Sequence, residues 1–319
     1  MSKKQPNMYD SETYYRIRNQ FENSFIGKIS HRQRICLHPL LWKLLTFHNR
    51  IAGLQVNLLY DHRTKTNKPK IFAITHIGKY DIEACTSVLK DHYYLLSGDF
   101  EHIHGSADEF ILGLNGIVYV KKDDREDRRL SKEKMIQVLK IGGNLMYFPE
   151  GAWNLSENLP LLQCPYGIID VAMQGGADII PIGIEQYGKR FIVAIGENFS
   201  VENYHKDNLL EAISDLRDTM AKLKWDIWEY ASKDSSIITP DKEEFSCQIK
   251  NKLKEWTASA DFFERAKFKP KTITNEREVY NFLPYMPIHM NNVFLAKIKC
   301  QYIDLYSADN HTSCSNHSI

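Results

Sequence analysis

The stretch Ile71-Phe72-Ala73-Ile74-Thr75-His76-Ile77-Gly78-Lys79-Tyr80-Asp81 decides how this chain reads. Its first half is an apolar, β-branched run entered from Thr66, Asn67 and Pro69, the form taken by a strand buried on both faces. The run stops at His76, and residues 81–90 have helical composition, so the stretch predicts strand, turn, helix. The alternation repeats downstream. Strands are expected at 116–120, 144–148, 179–184 and 190–195, and helices at 131–140 and at 165–174, the latter stopped by Gly175-Gly176. Strands alternating with helices of about ten residues predict an α/β fold, a mostly parallel central sheet with helices on both faces.

Outward from this block the pattern changes. Residues 1–35 read as a polar tail followed by a surface helix. Residues 36–60 are apolar, with Leu40, Trp42, Leu44 and Phe47 beside Lys43, His48 and Arg50. That mixture fits a segment lying in a lipid headgroup layer, and it equally fits a helix packed on the core. At 208–230, Leu209, Ile213, Leu216, Met220, Leu223 and Ile227 recur at helical spacing and are read as core, although Trp225 and Trp228 could rest on a bilayer. Phe245, Ile249, Leu253, Trp256, Ala260 and Phe263 predict a second helix, joined to the first by a linker at 232–241. A short apolar run at 293–298 and a polar tail from 308 complete the chain. Three regions are therefore expected: an N-terminal helical segment at 1–55, an α/β domain at 56–232 and a helical C-terminal extension at 233–319.

The 319 residues are 43% apolar and 25% charged, enough to close a core without staples, and the formal net charge of +1 offers no global field to draw in nucleic acid. Six cysteines stand far apart with no C-x-x-C pair, which excludes a zinc finger and a disulfide scaffold. The first thirty residues have no apolar leader core and no run reaches the length of a spanning helix, so a cytoplasmic protein is expected. His102-Ile103-His104, near Asp99, Glu101 and Asp108, reads as polar surface, and no metal site is expected. Cys164 has no base beside it in sequence and is read as structural.

Chemistry is concentrated at the end of the first strand. His76 and Asp81 are five positions apart, which on a regular helix is a turn of about 500°, so their side chains would point about 140° apart. A turn at Gly78 lets Asp81 fold back from the first helical turn onto the imidazole. A carboxylate on one ring nitrogen fixes the tautomer and leaves the other nitrogen to take a proton from a hydroxyl. Some seventy residues on, the strand at 144–148 runs into Pro149-Glu150-Gly151. Between them Lys121 and Lys122 stand at a strand's end, where α/β sheets gather ligands.

These blocks, H-x4-D, the 116–122 strand with its lysines, Phe148-Pro149-Glu150-Gly151 and the proline-bearing strand at 179–184, resemble the PlsC-like lysophospholipid and glycerol-phosphate acyltransferases. The resemblance covers about residues 71–184. It implies His76 as general base, Asp81 as its orienting partner, and Lys122, Glu150 and Gly151 as acceptor-binding residues, with Pro181 structural. It further implies an acyl thioester donor on CoA or acyl carrier protein, a lysophospholipid or related acceptor, and no cofactor. The protein would work peripherally at the inner face of a membrane.

Two departures stand out: Ala152-Trp153-Asn154 follows the third block where the family commonly has Thr-Arg-Ser, and Lys122 stands where the second block usually has arginine. Both remove a fork that grips phosphate bidentately. The acceptor could therefore be a sugar or amino-acid lipid, with Trp153 stacking on it or packing the turn; a non-catalytic lipid-binding protein is a further alternative. Lys121, Arg125, Arg128 and Arg129, in a run of mixed charge that reads as a solvated loop, are candidate replacement anion ligands.

Overall fold

The structure is a computed structural model that describes residues 10–98, 103–156 and 159–255, together with Pro287 and Lys299. The chain divides into two compact units, 1–267 and 268–319. Everything below concerns the first. The expected helical positions from Trp256 onward, the run at 293–298, the polar tail, and Asp99, Glu101 and His102 lie outside the described residues.

The central strand is β2 (Lys70–Ile74), whose last four residues are fully buried. Their side chains alternate between two cores. Phe72 and Ile74 enter the cluster with Ala84, Cys85 and Leu89 of helix α3 (Asp81–Leu89). Ile71 and Ala73 enter the other cluster, with Met135 and Leu139 of α5 (Arg125–Lys140), Ile168 and Ala172 of α6 (Gly167–Gly175), and Leu216 and Met220 of α7 (Leu209–Lys233). This two-sided burial is why the strand reads as an unbroken apolar run.

The remaining strands are β1 (Gln55–Asp61), β3 (Tyr94–Ser97), β4 (Ile117–Tyr119), β5 (Leu145–Tyr147), β6 (Asp178–Tyr187) and β7 (Arg190–Ile195). They form a seven-stranded sheet in the order β1-β7-β6-β2-β5-β3-β4. Every neighbouring pair is parallel except the β6-β7 hairpin. The mostly parallel sheet flanked by helices is the expected architecture. Pro181 sits inside β6, a position that usually excludes proline. Its carbonyl accepts from Gly196 N–H at 2.9 Å, and the return bond it cannot give falls one step past the end of the β6-β7 register at Ile182 and Ile195.

Several boundaries differ from the sequence expectation. The segment read as 36–60 is two elements: α2 (His31–Ile51) and the edge strand β1, which pairs with β7. Strand β3 and α4 (Ala107–Asn115) were not anticipated. Helix α5 starts at Arg125, not 131, because the Asp124 side chain caps it by accepting from the N–H groups of Glu126 and Asp127. The charged run read as a solvated loop is therefore a short connection followed by the first turns of a helix.

Helix α2 is packed on the core along one face and exposed along the other. Its inner face is pinned by Trp42 Nε1 donating to Thr86 O (3.0 Å) and Asn49 Nδ2 to Glu83 O (3.2 Å), both on α3. Its outer face leaves Leu40, Leu44, Phe47 and Ile51 exposed at spacings of four, three and four, beside exposed Lys43, His48 and Arg50. No helix among the described residues is long and apolar enough to cross a membrane. Helix α1 (Ser11–Asn23) is bolted to the sheet's other end: Arg18 pairs with Asp127, which is fully buried and also accepts from Tyr14 Oη (3.1 Å) and from the N–H of Lys121. Helix α8 (Lys242–Glu255) follows α7.

Candidate active site

Because β2, β5 and β4 are parallel, the residues that follow them emerge at the same edge of the sheet. Three of the sequence blocks meet there. Beyond Ile74, Thr75 keeps the ladder to β6 going with its own N–H to Ile182 O (3.0 Å) and its hydroxyl, which accepts from Ile184 N–H (3.0 Å). The chain then leaves the sheet at His76.

The turn from His76 to Asp81 is organised around one oxygen. Asp81 Oδ2 lies 2.8 Å from His76 Nδ1 and accepts from the N–H groups of Ile77 (2.7 Å) and Gly78 (3.0 Å). A carboxylate only accepts, so the proton of the neutral ring sits on Nδ1 and Nε2 carries the lone pair. Asp81 opens α3, where the helix N-terminus favours negative charge, and it is 1% exposed. The histidine ring stacks on Phe148 at 4.2 Å and 29°, and meets Trp153 edge-on at 6.3 Å. Its side chain remains 19% exposed, and Nε2 has no hydrogen-bond partner among the described residues. The expected folding back of Asp81 is thus present in the geometry.

Glu150 supports the same turn from behind. Oε1 accepts from His76 N–H and Oε2 from Leu162 N–H, both at 2.8 Å, and the residue is 5% exposed. Burial pushes its carboxyl up to about 7, against the backbone N–H groups and the Lys224 ammonium, which favour the charged form. Gly151 takes φ +65, and its N–H donates to Phe148 O (3.0 Å), closing the turn after β5. Ala152 is fully buried behind it, and Asn154 N–H donates to His76 O.

Lys122 reaches this turn from the end of β4, its Nζ donating to Gly151 O. Its stem lies across Gly98, where a Cβ would come within 2.4 Å of Lys122 Cε. Lys122, Glu150 and Gly151, singled out together in the sequence, are therefore brought together. The other cations divide. Arg128 reaches back from α5 to donate to Lys122 O, while Arg125 is exposed in the first turn of the same helix. Lys121 turns toward α1, its Nζ 3.4 Å from Ser11 Oγ and 5.3 Å from the centre of the Tyr14 ring. Arg129 pairs with Glu126 and Glu133 on its own helix. Burial pushes the Cys164 thiol up to about 12, in keeping with an inert cysteine. Among the described residues no group of His, Cys, Asp and Glu has the arrangement to hold a metal ion.

Sequence reasoning missed Phe148 as the platform under the imidazole, although it stands in the quoted block. It also missed Asn154 and Leu162, which act through backbone N–H groups and so have no side-chain signature.

Residues 55–185 match the family model Acyltransferase. No curated protein sequence gives a significant match. Among solved structures, the 1-acyl-sn-glycerophosphate (LPA) acyltransferase PlsC from Thermotoga maritima is similar with a TM-score of 0.52 and 14% identity, over 70% of this chain and 90% of that one. At that identity the likeness is one of fold. The family model begins at β1 and ends on β6, so it spans the His76, Lys122 and Glu150 blocks. Residues 55–185 are thus an acyltransferase domain by their sequence match, and the fold that carries them is similar to that of PlsC.

Proposed function

We propose that this enzyme moves a fatty acyl group from an acyl thioester, on CoA or acyl carrier protein, to the hydroxyl of a lysophospholipid such as 1-acylglycerol-3-phosphate. The observation that carries the reading is the His76 Nδ1 to Asp81 Oδ2 contact at 2.8 Å, with Nε2 left open at the sheet edge. The acceptor hydroxyl gives its proton to Nε2 as its oxygen bonds to the thioester carbonyl carbon. Collapse of the tetrahedral adduct breaks the C–S bond, and the proton on Nε2 passes to the leaving thiolate. Ester and thiol depart and the imidazole is neutral again. Because a thioester is already activated, positioning and one base supply most of the barrier reduction, and neither metal nor covalent enzyme intermediate is required.

In this reading Lys122, with Arg128 behind it, faces the anionic headgroup, and Gly151 admits the acceptor close to the backbone. Glu150 works by holding the His76 peptide. The exposed apolar stripe of α2, flanked by Lys43, His48 and Arg50, supports a peripheral position on an anionic leaflet, the inner face of a membrane. A second reading, transfer to a sugar or amino-acid lipid, is favoured by Trp153, which stands edge-on to His76 where the family commonly places an arginine. Mass spectrometry of products from labelled acyl-CoA or acyl carrier protein and a panel of lyso-lipids tests both. A labelled diacyl phospholipid supports the first reading; label only in a non-phosphorylated lipid, or only in free fatty acid, overturns it.

A further inference from the structure

Helix α8 lies outside the residues that match the acyltransferase family, yet it reaches the catalytic turn. Lys252 Nζ donates to Ile77 O at 3.0 Å. The same ammonium stands 3.5 Å from where a Cβ on Gly78 would lie, so it is seated directly against the turn. The backbone groups around that carbonyl are already committed. His76 N–H goes to Glu150, His76 O accepts from Asn154, and the N–H groups of Ile77 and Gly78 go to Asp81. Ile77 O is the acceptor left in the middle of this set, and its partner comes from a segment 175 residues away in sequence.

We propose that Lys252 is a positioning residue of the active site, and that helix α8 completes the turn that aims His76. This deepens the acyltransfer reading and rests on His76 being its base. An ammonium on the Ile77 carbonyl fixes the Ile77–Gly78 peptide, whose N–H binds Asp81 Oδ2, so the carboxylate and the ring it contacts are held in one orientation. Lysine suits the task because its long stem lets a helix outside the sheet deliver a compact cation to one carbonyl oxygen. Methionine at this position would keep the stem and remove the donor.

The test uses the full chain in three variants: Lys252→Met, Lys252→Arg and His76→Ala. Thioester turnover is measured as a function of acceptor and donor concentration, with amide hydrogen exchange read at Ile77 and Gly78. Lys252→Met is expected to lower kcat about tenfold or more with KM for both substrates unchanged, since a small misplacement of a catalytic group is enough for such a loss. The Ile77 and Gly78 amides should exchange faster while β2 and α3 stay protected, and Lys252→Arg should recover most of kcat. Unchanged kcat and unchanged exchange in Lys252→Met overturn the proposal. So does a rise in donor KM alone, which makes Lys252 a substrate ligand. The reading of His76 as the base fails separately, through full activity in His76→Ala; an inactive His76→Ala beside a normal Lys252→Met sinks the positioning role only.

Discussion

Glutamine in place of Glu150 keeps the side-chain shape and removes the charge. In the wild type both carboxylate oxygens accept, one from His76 N–H and one from Leu162 N–H. An amide has one oxygen, so its NH2 faces the second N–H and leaves a buried donor unpaired, at a cost of about 1–3 kcal/mol. The charge acts in the other direction. Burial moves the Glu150 carboxyl from 4.5 to about 7, so between those values the folded state holds a proton that the unfolded chain has released. The stability tied to the protonated form is complete below the unfolded value and is lost as pH rises through the folded one. From pH 5 to pH 8 this removes about 2 to 3 kcal/mol from the wild type and nothing from Glu150→Gln.

The stability gap between the two proteins should therefore move in favour of the variant by that amount as pH rises. Urea unfolding of both at pH 5 and pH 8 measures it. At pH 8 the variant should nevertheless turn over more slowly, with acceptor KM unchanged, because the amide can no longer accept from both the His76 and the Leu162 N–H and so holds the turn less firmly. A gap independent of pH would refute the buried-carboxylate argument, and a rise in acceptor KM alone would return Glu150 to the acceptor-binding role.

Asp81→Asn should keep more activity than His76→Ala, by about tenfold or more in turnover. The Ile77 and Gly78 N–H groups would hold the amide oxygen where Oδ2 now lies, so the tautomer survives and only the charge is lost; equal inactivity of the two would contradict this. Arg18→Met should cost about 3 kcal/mol or more in urea unfolding, because it leaves the fully buried Asp127 without its cation. The double variant with Asp127→Asn should regain part of that loss. Leu44→Glu with Phe47→Glu should leave the unfolding midpoint nearly unchanged while abolishing co-sedimentation with anionic phosphatidylglycerol vesicles; binding at the wild-type level would remove α2 as the membrane contact.

What the sequence revealed depended on how each element is buried. Strands β2, β5 and β6 have apolar runs because both of their faces are covered, and Gly175-Gly176 stops α6 with Gly176 in the left-handed region, φ +66. Strand β1 lies at the sheet edge and is largely exposed or half-buried, so it merged with α2 into one apolar segment. Strand β3 has four residues, too few to establish a period. The start of α5 was hidden by charge, since its first turns carry exposed charged residues around the buried Asp127 and only Asp124 marks the cap. At the site, the pairing of His76 with Asp81 could be read from Gly78 and the distance along the chain. The bracing by Glu150, Asn154 and Leu162 could not, because its donors are peptide groups that any residue would supply.

The most direct measurement is single-turnover acyl transfer from a labelled acyl thioester to a lyso-lipid by wild type and His76→Ala at equal enzyme concentration. The account predicts that the alanine variant folds with an unchanged circular dichroism spectrum and transfers acyl groups at least about a hundredfold more slowly, the usual contribution of a positioned base. Transfer at the wild-type rate would contradict it.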